Sequence, residues 1–407
     1  MQSTTIQLQN IRNKNLLKIN KIDILLFLTG AISLIHTLTI LSQFVIGLMM
    51  GGIVCFALIM YLGRRGVKLD TPICLFLIWY GVFAVYVCIS ILYTVNIINP
   101  SYVILRVVTA FALGLVVSMY VRDEHAFEVF AYGIILGGII VSILTLFIEG
   151  STFGRLRTGS ISVGSGPTFG AIIMVAFVCS VWRIMRKKER RSLFIVIAIF
   201  LYTMIVLSGS RRIIILCPLF LLITVMLNRN IKKSKKMLFM MLALSVSVLA
   251  LYIVMTNETF YNLAGWRIES MINSFFSSSG TITDASMRER NIMKEYAMFL
   301  FNERPLFGYG VHGFAYMFKF YYGNMVYSHC GFTEILSCYG VVGFVIFYSI
   351  FMIIFKNIGK RLLNSELYIQ ILLLFSIFAL MTEFYTIIFL TPYNIVMLTA
   401  TLATRDK

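Results

Sequence analysis

Charged residues are scarce in this chain, and acidic residues are the scarcest. Only 13% of the 407 residues are charged, with 17 Asp and Glu against 35 Lys and Arg, while 59% are hydrophobic. A composition this poor in charge lies outside the range of soluble globular domains. The seven cysteines fall mostly in apolar segments and form no CxxC pattern, which argues against a disulfide framework and a zinc site. The chain also lacks a P-loop and a dinucleotide-binding glycine signature.

The apolar residues fall in runs of about 20, the length that a helix needs to cross roughly 30 Å of hydrocarbon. Because lipid offers no partner to unpaired backbone groups, each run is expected to be helical. We predict an all-α polytopic membrane protein with about twelve spans, at residues 23–40, 44–62, 72–94, 103–121, 128–148, 168–184, 193–208, 213–228, 237–255, 332–355, 367–388 and 390–403. Nine spans thus occupy residues 1–255, one large outer loop occupies 256–330, and three spans occupy 331–407.

The net charge of +18 is compatible with a nucleic-acid partner, but the positions of the basic residues argue against one. Basic clusters follow alternate spans, as at residues 183–191 and 229–236, so that they face one side of the membrane. This is the positive-inside pattern. It places both termini in the cytoplasm and residues 257–328 outside. Anionic membrane lipid, rather than nucleic acid, is then the expected partner of the basic surface.

A few arginines break this pattern and fall on the predicted outer side. Arg155 and Arg157 follow the fifth span, Arg211 and Arg212 follow the seventh, and Arg106 lies just inside the outer end of the fourth. Arginine in such a place is costly and usually has a specific partner. Snorkelling or a structural ion pair explains any one of them equally well, but together they indicate a pocket for an anion. The guanidinium group suits phosphate because its planar fork binds two oxygens.

The predicted outer loop contains a helix that begins near Met287. Apolar residues repeat along it at helical spacing, while Arg290 and Lys294 share the opposite side. Such a helix lies at the membrane interface, either as a plain lid or to present cations to headgroups. The aromatic stretch from Tyr316 to Tyr327 suits sugar stacking or ordinary membrane anchoring.

From about residue 150 the motifs resemble those of the O-antigen ligase and Wzy-type polysaccharide polymerase superfamily. Its members have ten to fourteen spans and a large outer loop late in the chain. In that loop an arginine-led helix ends in a Pro-Leu-Phe-Gly-x-Gly-like turn, matched here by Arg290 and by Pro305–Gly310. After this turn the family has a histidine that is followed directly by Asn, Ser or Gln. After nine further residues comes a glycine, and after two more residues comes a Gly, Thr or Tyr. His329, Gly340 and Gly343 match this spacing.

The resemblance has one departure and two further matches. Cys330 stands where the family has Asn, Ser or Gln, so that an amide or hydroxyl hydrogen bond is lost. Ser210-Arg211 matches the family's Ser-Arg turn after an earlier span. Gly154-Arg155 and Pro167-Thr168 match its Gly-Arg segment and the helix start that follows.

The resemblance implies a GT-C-like glycosyltransferase that acts on undecaprenyl-diphosphate-linked sugars at the outer face of the bacterial cell membrane, in capsule or O-antigen synthesis. A polymerase transfers the growing glycan from its lipid diphosphate to the next lipid-linked repeat unit. The residues expected to bind the diphosphate are Arg106, Arg155, Arg157, Arg211, Arg212, Arg288 and Arg290. Fixed arginines can neutralise the leaving group as a metal would. Since no Asp-x-Asp occurs in an outer loop, we expect no metal and no cofactor.

His329 is the best candidate by residue type for accepting the proton of the attacking sugar hydroxyl. Glu334 is a second catalytic candidate, or the group that orients His329, and His312 is a weaker one. Glu383 is expected to be buried in the eleventh span and to pair there, with Arg106 as a possible partner.

Three other functions stay open at this stage. A ligase of the same family would move finished glycan to a different acceptor. A non-enzymatic lipid-linked oligosaccharide flippase would be expected to show two similar halves rather than one long outer loop. A peptidoglycan glycosyltransferase of the shape, elongation and division type shares the lipid carrier, but its resemblance is poorer around His329. A chain-length regulator and the flippase of the same pathway are possible partners of a polymerase.

Overall fold

The computed structural model describes residues 20–41, 43–65, 69–95, 101–150, 158–186, 189–229, 231–258, 261, 265, 269 and 285–404. Most of these residues are in helices. Within these ranges there is no β-strand, which confirms the all-α class. In chain order the helices are α1 (Lys21–Ile35), α2 (Gln43–Arg65), α3 (Thr71–Tyr93), α4 (Ser101–Tyr120), α5 (Glu124–Glu149), α6 (Gly166–Arg186), α7 (Arg191–Leu207), α8 (Arg211–Leu227), α9 (Lys233–Thr256), α10 (Ala285–Glu303), α11 (Gly313–Tyr322), α12 (Gly331–Phe355), α13 (Ile358–Asn364), α14 (Leu367–Thr382) and α15 (Pro392–Ala403).

Among the described residues, six helices are long and apolar enough to cross a membrane. They are α3, α4, α5, α6, α12 and the segment Val45–Gly63 of α2. Helices α7, α8 and α14 are apolar but shorter. The chain is therefore a multi-pass membrane protein, and the count of twelve spans stays a prediction. The eleventh predicted span was drawn too long, because α14 ends at Thr382 and the chain up to Thr391 is irregular.

Helices α1 and α5 pack closely against each other, and two glycines make this approach possible. A methyl group on Gly30 would overlap the carbonyl oxygen of Phe130, and one on Gly133 would overlap that of Phe27. Small residues at such crossings let two helices pack backbone to backbone, which is a common way to hold helices together in lipid.

The two ends of the bundle gather different loops. At one end, ion pairs join segments predicted to be cytoplasmic, Arg122 with Asp70 (3.6 Å) and Arg186 with Glu124. At the other end, segments predicted to be outside bond to each other: Thr39 N to Ser162 O (2.9 Å), Thr158 N to Leu207 O (3.4 Å) and Thr94 Oγ1 to Val311 O (2.8 Å). This grouping agrees with spans that alternate in direction, and the side of the membrane that each end faces stays a prediction.

Candidate functional site

Helix α12 is broken at Gly340, whose backbone (φ 63°, ψ −166°) is not helical. Such a break frees backbone groups that must find partners inside a membrane protein. The turn Pro305–Gly310 supplies those partners. Four backbone hydrogen bonds fill the break: Tyr309 N to Ser337 O (3.0 Å), Gly310 N to Cys338 O (2.8 Å), Val341 N to Pro305 O (2.8 Å) and Val342 N to Leu306 O (3.3 Å).

Glycine is required on both sides of this contact. A methyl group on Gly340 would overlap the carbonyl of Leu306, and one on Gly308 would lie 2.6 Å from the carbonyl oxygen of Cys338. Both glycines also have a positive φ, which other residues adopt only at a cost. The Pro305–Gly310 motif and the glycine eleven residues after His329 are therefore two halves of one structural element.

His329 lies in the short segment between the end of α11 and the start of α12. The Glu334 carboxylate accepts a hydrogen bond from Ser328 N (2.7 Å), and the Ser328 hydroxyl donates to Cys330 O (2.8 Å). His329 lies between them in the left-handed conformation, with φ 56°. Glu334 is buried in the first turn of α12, and its hydrogen bond holds the backbone beside His329. Cys330, the departure from the motif, is buried and contributes no side-chain cap to α12.

Three cations from two helices act on His329. Burial first, and then the positive charges of Arg290, Arg212 and Lys294, lower the pKa of His329 to about 4. The ring of Tyr327 lies beside the imidazole, with ring centroids 4.1 Å apart. An imidazole in this setting is neutral near pH 7 and so has a ring nitrogen that can accept a proton, although it is a weaker base than an ordinary histidine; the cations that lower its pKa also attract an anion.

Tyr385 joins two of these cations, although nothing in the sequence marked it. Its ring centroid lies 3.1 Å from Arg212 Cζ and 5.3 Å from Lys294 Nζ. Cations close to an aromatic ring are attracted by its negative face. Tyr385 was missed because it lies in an apolar run that was assigned to the eleventh span.

The predicted pairing of Glu383 with Arg106 is wrong. Glu383 is fully buried just after α14, and its carboxylate accepts a hydrogen bond from Ile388 N (2.9 Å). The Arg106 guanidinium instead lies 4.6 Å from the centroid of the Tyr102 ring. Arg106 is not among the cations that lower the pKa of His329.

The other predicted site residues are only partly covered by the structure. Arg288 lies on α10 with an exposed side chain. Arg155 and Arg157 lie outside the described residues, and so does the side chain of Arg211. The loop that follows Arg157 is held by Glu149, a buried acidic residue that the sequence did not single out. It accepts three backbone N–H bonds, from Gly159 (2.7 Å), Ile161 (2.9 Å) and Ser162 (2.9 Å).

The site thus combines a neutral imidazole with a cluster of cations at one end of the bundle. Arg212, Arg290 and His329 lie far apart in the sequence, but both arginines are near enough to His329 to lower its pKa. His312 also has a left-handed backbone, at the N-terminus of α11. In the part of the chain that is described, no three His, Cys, Asp or Glu side chains are grouped so as to hold a metal ion.

Comparison with known proteins gives one positive result. No curated protein matches the chain. The family model described as O-antigen ligase matches residues 195–348, a stretch that contains Arg212, Arg290, His329 and Gly340. The earlier Gly154-Arg155 and Pro167-Thr168 matches lie outside it. This match confirms, over residues 195–348, the resemblance to the O-antigen ligase and Wzy-type polymerase superfamily.

Proposed function

We propose that the protein is a polysaccharide polymerase, a glycosyltransferase that joins undecaprenyl-diphosphate-linked oligosaccharide repeat units at the outer face of the bacterial cell membrane. The observation that carries this proposal is that two guanidinium groups, those of Arg212 and Arg290, act on the neutral imidazole of His329. The chemistry of the reaction needs both parts, a positive site for the diphosphate and a proton acceptor for the sugar hydroxyl. The family match supports the same reaction class.

The proposed reaction exchanges one bond for another at an anomeric carbon. An acceptor hydroxyl oxygen bonds to the anomeric carbon of the donor glycan, and the bond from that carbon to the diphosphate oxygen breaks with its electron pair. His329 accepts the hydroxyl proton, which a neutral imidazole can do. The lipid diphosphate leaves with the additional negative charge. Arg212 and Arg290 stabilise that charge, since each guanidinium can donate two hydrogen bonds to phosphate oxygens.

Glu334 supports this reaction indirectly. Glu334 is only 4% exposed, and its carboxylate accepts a hydrogen bond from Ser328 N. A carboxylate held in this way fixes the backbone conformation that places the imidazole. We therefore assign proton transfer to His329 and positioning to Glu334.

A ligase would use the same donor and the same chemistry, and would differ in its acceptor. The two can be separated by deleting the gene in a bacterium that makes the protein and profiling the lipid-linked glycans. Loss of a polymerase leaves single repeat units on the lipid and no long chains. Accumulation of long lipid-linked chains that are no longer transferred would instead identify a ligase, and an unchanged glycan profile would contradict both.

The deletion strain also allows a test of the histidine with a matched control. His329 and His312 both have left-handed backbones, which asparagine tolerates well. His329→Asn should therefore fail to restore long chains, while His312→Asn should restore them. Full restoration by His329→Asn would show that the imidazole takes no part in the reaction.

A further inference from the structure

Tyr385 brings together two cations that belong to separate parts of the chain. Arg212 lies at the start of α8 and Lys294 lies in α10, with α9 between them in the sequence. Both lie within cation–π distance of the one ring, at 3.1 Å and 5.3 Å from its centroid. Like charges repel each other, so a shared negative ring face favours an arrangement that the charges alone would oppose.

The position of the ring is fixed by the segment that also anchors the start of α12. Tyr385 N donates to Thr382 O (2.9 Å), which continues the last turn of α14. The neighbouring Glu383 is fully buried, and its backbone carbonyl accepts a hydrogen bond from Gly331 N (2.7 Å). Gly331 follows His329 by two residues. The backbone of Tyr385 and the backbone that follows His329 are therefore both hydrogen-bonded to the segment Thr382–Glu383.

We propose that Tyr385 is a positioning residue that holds Arg212 and Lys294 together, and that Lys294 is thereby a third cation of the diphosphate site. This inference rests on the proposed function, since it assigns two more residues to the same anion site. The surroundings of His329 support it, because Lys294 acts on the imidazole together with Arg290 and Arg212. A lipid diphosphate carries more than one negative charge, and a third cation would bind the diphosphate more tightly than a monophosphate.

The ring and its hydroxyl can be separated by substitution. Tyr385→Phe keeps the aromatic face, whereas Tyr385→Leu removes it at similar volume. Lys294→Ala removes the cation itself. Matched controls come from α11, where Tyr321 and Lys319 are exposed side chains: Tyr321→Leu and Lys319→Ala change the same residue types without touching Arg212.

The measurement is the binding of farnesyl diphosphate to the purified full chain in lipid nanodiscs, by isothermal titration calorimetry. We expect Tyr385→Phe and both controls to bind like the wild type, and Tyr385→Leu and Lys294→Ala to bind at least tenfold more weakly. The double variant should bind no more weakly than Tyr385→Leu alone, because without the ring neither Arg212 nor Lys294 is held in place and the lysine no longer contributes to binding. Farnesyl monophosphate should bind more weakly than the diphosphate to the wild type and should lose less affinity in Lys294→Ala.

Several outcomes would overturn the inference. They are wild-type affinity in Tyr385→Leu or Lys294→Ala, or a loss in Tyr385→Phe as large as that in Tyr385→Leu. If Tyr385→Leu does not fold, Lys294→Ala and Tyr385→Phe still decide the question. Failure of the wild type to bind farnesyl diphosphate would contradict the anion site of the proposed function itself, and so can be told apart from failure of the inference.

Discussion

Replacement of Gly340 by alanine tests whether the break in α12 holds the site together. The residue has φ 63° and ψ −166°, a region that only glycine occupies readily, and an added methyl group would overlap the carbonyl of Leu306. Strain of this kind costs about 1–3 kcal/mol. Moving the turn aside to relieve the overlap would also weaken the hydrogen bonds from Val341 and Val342, at about 0.5–1.5 kcal/mol each. We therefore expect the Gly340→Ala variant to be destabilised by roughly 2–6 kcal/mol.

The assay is unfolding of the purified protein in nanodiscs, followed together with glycosyl transfer. Gly359→Ala is the matched control, because a methyl group at Gly359 in α13 meets nothing within 4 Å. That control should change stability little. If Gly340→Ala unfolds at the same midpoint as Gly359→Ala and keeps full activity, the broken helix is not a structural requirement and the reasoning fails.

Three further predictions concern the site. Because the pKa of His329 is lowered to about 4, the imidazole should stay almost fully neutral at pH 5.5, where an ordinary histidine would be roughly one-tenth neutral. The transfer rate should therefore fall little between pH 7.5 and pH 5.5. A rate that is halved near pH 6.5 would contradict this. Glu334→Gln keeps a side-chain oxygen that can accept the hydrogen bond from Ser328 N, so this variant should retain most activity. Glu334→Ala leaves the Ser328 N–H unpaired and should lose both activity and about 1–3 kcal/mol of stability. An equal loss of activity in both variants would favour direct proton transfer by Glu334. Arg212→Lys and Arg290→Lys lose the bidentate guanidinium fork and should weaken diphosphate binding roughly 10–100-fold. Arg288→Lys is the control, because the Arg288 side chain is exposed, and it should not weaken binding. An equal loss of affinity in all three variants would argue for general charge attraction.

The helices and the main site residues could be predicted because their signals are local. Apolar runs and helical spacing identify α10 and the spans, and the spacing from His329 to Gly340 is a property of one short stretch. The place where α14 ends was not predictable from hydropathy, since the apolar run continues past Thr382. The physical meaning of Gly340 also stayed hidden, because the break depends on a turn that lies 30 to 35 residues earlier.

Contacts between distant segments account for most of what was missed. The ring of Tyr385 meets a cation 173 residues away, and an aromatic residue in an apolar run carries no sign of such a partner. The pairing of Glu383 with Arg106 failed for the same reason. A buried carboxylate needs hydrogen bonds but not necessarily a cation, and here a nearby backbone N–H provides one.

The most direct test of the account is polymerisation by the purified protein. Wild type, His312→Asn and His329→Asn would each be placed in lipid nanodiscs with undecaprenyl-diphosphate-linked repeat units, in the presence of EDTA, and the products separated by size. The account predicts a ladder of lengthened lipid-linked glycans for the wild type and for His312→Asn, and single repeat units alone for the well-folded His329→Asn variant. A ladder from His329→Asn, or no lengthening by the wild type until a divalent metal ion is restored, would contradict it.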